Sequence, residues 1–139
     1  MKASISFPEI QKLLAEKAQQ TIAFAFVDPK TIKVTYPLNL GFIKKDISAN
    51  LIIKELVGSD LLLQLDAGFG SDTMLATMLN LIKGKVPESL IEKSPESHFM
   101  VHLDQIEQAK AVFEKIDITD LHVISEGLEV EGLLKQANQ

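Results

Sequence analysis

At 139 residues, with 46% hydrophobic and 24% charged side chains, the chain has the size and composition of one globular domain, read as a single unit from 1 to 139, and none of its apolar runs reaches the roughly 20 residues that a membrane-crossing helix needs. The absence of cysteine excludes disulfides, thiolate chemistry and cysteine-held zinc. A net charge of −5, from 14 basic and 19 acidic residues with no Lys/Arg stripe, argues against nucleic acid as a partner.

Met1 to Pro8 contains no signal-peptide core, so the chain as written is expected in the cytoplasm, and exported only if a signal has been removed. Ser6-Phe7-Pro8-Glu9 reads as a capping box opening a helix. That helix should run to about Gln20, with Phe7, Ile10, Leu13, Leu14 and Ala18 on its apolar side. From Thr21 the period drops to two. Ile22, Phe24 and Phe26 form one strand, Asp28-Pro29-Lys30 turns the chain, and Ile32, Val34 and Tyr36 form the next. After a break from Pro37 to Gly41, Ile47, Ala49, Leu51 and Ile53 alternate, Gly58-Ser59-Asp60 turns again, and Leu61, Leu63 and Leu65 complete a four-strand meander.

A second helix is expected over Asp72 to Lys83, capped by Ser71 or Asp72 and stopped by Gly84. Pro87 to Ser97 reads as a connection, His98 to Leu103 as a strand, and Asp104 with Glu107 as an acidic capping box for a third helix bearing Ile106, Ala109, Phe113 and Ile116. A closing hairpin follows, with Ile118, Leu121 and Val123 before the Ser125-Glu126-Gly127 turn and Leu128 and Val130 after it. Most strands are apolar on one face only, and the three helices need cover. The fold class is therefore α+β, with one curved antiparallel sheet of about six to seven strands wrapped around the helices.

Motifs for chemistry are scarce. Gly68-Phe69-Gly70-Ser71 lacks the third glycine of a dinucleotide fingerprint and the lysine of a P-loop, and has no parallel sheet to support it, so it reads as a strand-to-helix turn. His98 and His102 sit four apart on a strand, about 13 Å from each other, which is too far to share a metal. No G-x-S-x-G elbow is present, and Glu129 and Glu131 fall on a solvent face. No catalytic residue, metal or cofactor is assigned, and the chain is expected not to be an enzyme.

The second helix is the more informative segment, because Met74, Leu75, Met78, Leu79, Leu81 and Ile82 cover more than half of its circumference. Such a helix either packs on two sides or borders a groove for an apolar ligand, where methionines adapt to variable chains. The lining would be Phe24, Phe26, Leu51, Ile53, Leu63, Met74, Met78 and Ile82. Two loop aromatics, Phe42 beside Lys44 and Lys45, and Phe69, are candidates for contact with a membrane or a partner if they are exposed.

The order of elements resembles the tubular lipid-binding superfamily and its small bacterial relatives. The resemblance rests on the alternation and on the terminal strand Glu126-Gly127-Leu128-Glu129-Val130-Glu131-Gly132. It implies a curved sheet gripping a helix with a lipid or other acyl-bearing ligand between them, and it carries no catalytic motif. The expected function is non-catalytic binding of a lipid or apolar ligand. The alternative is a homo-oligomeric assembly protein, a homodimer for instance, that uses its surplus apolar surface.

Overall fold

The chain opens with a strand, β1 (Lys2–Ser6), and passes directly into helix α1 (Phe7–Ala18). The capping box forms as its residue types require: Glu9 N donates to Ser6 Oγ at 3.2 Å, and Ser6 N donates to Glu9 Oε1 at 3.2 Å. The computed structural model describes residues 1–18, 22–39, 41–42, 44–68, 70–84 and 87–135, and the side chains of these except 13–18, 36–39, 81–82, 107–109 and 112. The expected apolar positions Leu13, Leu14 and Ala18 therefore lie outside the described side chains.

Four strands follow in a meander: β2 (Ala23–Asp28), β3 (Thr31–Asn39), β4 (Lys44–Val57) and β5 (Asp60–Asp66). Helix α2 (Ser71–Ile82) then leads to β6 (Ile91–Ser94) and β7 (His98–His102). A short 3₁₀ turn, Leu103–Gln105, precedes helix α3 (Glu107–Lys115), and the chain closes with β8 (Ile116–Ile124) and β9 (Gly127–Leu134). All strand pairs are antiparallel.

Six strands form one sheet in the order β2-β3-β4-β5-β7-β6, and three form a second in the order β1-β9-β8. The class is α+β as expected, but two sheets replace the single sheet wrapped around helices. Two segments account for the difference. Lys2–Ser6 pairs with β9 and gives the closing hairpin a partner of its own. Ile91–Ser94, inside the expected connection, pairs with β7 and forms the far edge of the larger sheet. Alternation states which residues share a face; it does not state which edges meet.

Register arranges the core in rows across the larger sheet. Phe24, Val34 and Ala49 face one another, as do Ile32, Leu51 and Leu65, then Ile53, Leu63 and Phe99, then Leu61, Val101 and Ile91. A bulge between Ile53 and Glu55 inserts one extra residue, so that Leu56 falls opposite Leu61 despite its odd spacing from Ile53. This apolar face is covered by α1 at the β2 end, where the Phe7 and Phe24 rings stack at 6.2 Å, and by α2 over β5. Leu121 and Val123 of β8 join the same core. The two sheets are fastened at the β2–β3 turn: Val123 N donates to Pro29 O at 2.8 Å, and Lys30 Nζ donates to Leu121 O at 3.2 Å.

Candidate functional site

Helix α2 is held differently at its two ends. Its N-terminal neighbour is Gly70, at φ +83°, a left-handed conformation that costs glycine little. The cap expected from Ser71 or Asp72 does not form. Ser71 Oγ instead donates to Gly68 O at 3.0 Å and accepts from Ala67 N at 2.9 Å, stabilising the turn before the helix. Asp72 Oδ1 accepts a 2.6 Å hydrogen bond from Ser97 Oγ. Ser97 is buried in the β6–β7 turn, where it and Glu96 both take positive φ, a conformation non-glycine residues rarely adopt. Leu65 N donates to Ser97 O at 2.9 Å and helps to fix that turn. The N-terminal end of α2 is thus tied to the sheet.

The opposite end opens onto a concavity of about 230 Å³ between α2 and β6. Leu79 and Ile91 supply its apolar floor, with Asn80, Gly84 and Glu88 around it and Lys83 and Lys93 at the rim. Lys93 stands opposite Phe99 in the register, on the core-facing side of an edge strand, and is exposed where it lines this concavity. Neither lysine belongs to an ion pair among the described residues. Gly84, at φ +81° with open space where a side chain would stand, follows the helix after Lys83.

Of the expected lining residues, Ile53, Leu63 and Met74 are buried in one cluster, and Phe24, Leu51 and Met78 pack against it half-buried. Phe26 is 43% exposed near the end of β2, and the side chain of Ile82 lies outside the described residues. The concavity borders this cluster through Leu79 and Ile91. Phe42 is exposed, as are Lys44 and Lys45 at the start of β4; Phe69 lies outside the described residues. Lys93 and Ile91 were hidden from sequence reading because Pro87 and Pro95 bracket them and β6 is only four residues long.

Two larger concavities, each about 500 Å³, flank the 3₁₀ turn and share Asp104 and Gln105. One runs under α3 past Phe113, Ile116 and Ile118. The other holds His102, whose Nδ1 stands 2.7 Å from Asp60 Oδ1 and whose Nε2 stands 3.3 Å from Glu92 Oε2. Hydrogen bonding to Asp60 raises the His102 pKa above its ordinary value, and Glu92 adds to the rise. His98 and His102 lie on the face opposite Phe99, as alternation requires. On the second sheet, His122 Nδ1 stands 2.7 Å from Asp120 Oδ2 and Nε2 stands 3.1 Å from Glu129 Oε1, while Lys2 reaches Glu131 at 3.4 Å. These histidines bridge carboxylates across strands. Among the described residues, no group of three or more histidine, aspartate or glutamate side chains is placed to hold a metal, and no helix is long and apolar enough to cross a membrane.

Compared with protein-family models, curated proteins and solved structures, the chain matches none.

Proposed function

We propose that the protein is a non-catalytic binding protein for a lipid or another ligand with an apolar chain, held between the larger sheet and α2, its anionic head at Lys83 and Lys93. The observation that carries this reading is the mouth at the C-terminal end of α2: an apolar floor that borders the core, with Glu88 beside it and rimmed by two lysines that join no ion pair among the described residues. An acyl chain would enter beside Leu79 and Ile91 and run toward Met78 and Met74, whose unbranched side chains repack readily. The mouth alone is smaller than the roughly 300–1,000 Å³ of ordinary ligand sites. Binding therefore requires α2 to lift at its Gly84 end while the Asp72–Ser97 bond holds the other. The resemblance to tubular lipid-binding proteins belongs to the same proposal.

Native mass spectrometry of protein purified from cells, together with titration of a fluorescent long-chain fatty acid, tests it. The expected result is a co-purifying acyl mass or saturable probe binding that Lys83→Glu and Lys93→Glu together weaken about thirtyfold, since each charged contact is worth on the order of 1 kcal/mol. Ligand-free protein that leaves the probe dark would end the proposal.

A second reading, self-assembly, is favoured by β2. It is the end strand of its sheet, carries Ala23-Phe24-Ala25-Phe26-Val27 with no charge or proline, and leaves Phe26 and Val27 43% and 45% exposed.

A further inference from the structure

The β3–β4 hairpin reaches past the sheet it belongs to. Pairing between the two strands continues to Asn39 opposite Lys44, whereas β2 pairs with β3 no further than Thr35 and β5 pairs with β4 no further than Asn50. The four pairs from Tyr36–Ile47 to Asn39–Lys44 form a two-stranded arm with no strand on either side among the described residues, about 10–13 Å long at the ordinary strand rise. Beyond it stands Phe42, which at 93% exposure has almost no contact with its own chain. Lys44 and Lys45 follow after one intervening residue, both exposed, and successive strand positions send them to opposite faces of the arm. Among the described residues neither joins an ion pair, and Asp46 is the nearest carboxylate in sequence. In a chain of net charge −5, this tip is locally cationic.

We infer that the arm is a docking device for an anionic lipid surface, with Phe42 entering the interfacial layer and Lys44 and Lys45 meeting headgroup phosphates. Area and charge select this occupant. A protein partner needs on the order of 800 Å² per side, which the end of a two-stranded ribbon does not offer. A bilayer interface accepts a single aromatic ring with lysine stems extended toward the headgroups around it. One ring and two lysines give weak, reversible attachment, below what stable anchoring requires. The inference goes beyond the ligand reading and does not depend on it.

Co-sedimentation of the full chain with phosphatidylcholine vesicles, with and without phosphatidylserine, tests the arm. Binding is expected only with phosphatidylserine and should fall as salt is raised. Lys44→Ala and Lys45→Ala should each weaken it about fivefold. Phe42→Ser should weaken it about tenfold or more. All three positions are exposed, so circular dichroism should not change. Equal binding to neutral vesicles, no binding to either kind, or arm variants that bind like the unaltered chain would each overturn the inference.

Discussion

His102 shows how much a single side chain can depend on its neighbours in space. It is separated in sequence from Asp60 and Glu92, yet the register places Asp60 directly opposite it and Glu92 on the adjoining edge strand, so both ring nitrogens face carboxylates. The doubly protonated ring suits this setting, because both nitrogens then donate. A pKa raised on folding means that the interaction stabilises the fold fully below the ordinary histidine value of 6.5 and is lost as pH rises through the higher folded value. Titration of the ring by NMR should give a midpoint above 6.5, and Asp60→Asn should bring it down toward 6.5. A midpoint at or below 6.5 in the unaltered chain would contradict the geometry. Nothing in the sequence pointed to the trio. Alternation put His102 on the outward face, and only strand pairing supplied its partners.

At the scale of elements, several local signals match the structure, although the cap expected at Ser71 or Asp72 gives way to the turn before α2. The Ser6–Glu9 capping box, the Asp28-Pro29-Lys30 turn with Asp28 Oδ1 accepting from Lys30 N at 2.8 Å, and the strand-to-helix turn at Gly68–Ser71 all involve residues two to four apart. The strands β1 and β6 carry little signal of their own because each is short and made partly of polar residues, and each becomes a strand only through its partner. The third helix likewise splits, with a 3₁₀ turn before α3 and Ile116 already in β8. Gly127 records the hidden role of β1. A side chain there would run into the Ile5 carbonyl and approach Ser6 Cα at 2.7 Å, so the close pairing of β9 with β1 requires glycine. Gly127→Ala should lower stability by about 2–3 kcal/mol, as overpacked sites do, measured by urea denaturation. A loss below a few tenths of a kcal/mol would mean that β1 does not hold this position in solution.

For the whole molecule, the decisive feature is how surplus apolar surface is distributed. Most of it is consumed: Leu65 and Leu75 are each 1% exposed, and residues from both sheets and two helices share one core. Among the described residues, what remains uncovered includes the α2 mouth, the Phe42 tip and the β2 edge, each of which implies a different partner, besides Val57 at the end of β4 and Leu133 and Leu134 at the end of β9. If β2 joins a second copy, sedimentation velocity should reveal a dimer that dissociates on dilution. Ala25→Lys, exposed on that edge, should then yield a monomer with unchanged circular dichroism. A monomer at every concentration would remove self-assembly and leave ligand binding as the sole reading.

The amino-acid order by itself determined the α+β class, the four-strand meander, the cap of α1 and the inward face of the strands that alternate, because these follow from periodicity and from hydrogen bonds spanning a few residues. Only the tertiary structure decided that the strands divide into two sheets, that Lys93 stands near the open end of α2, that His102 bridges two carboxylates and that the β3–β4 arm outruns its neighbours. Those features depend on which strand edges meet. Edge pairing is chosen by the packing of the whole core, between residues whose separation along the chain says nothing of their distance in space.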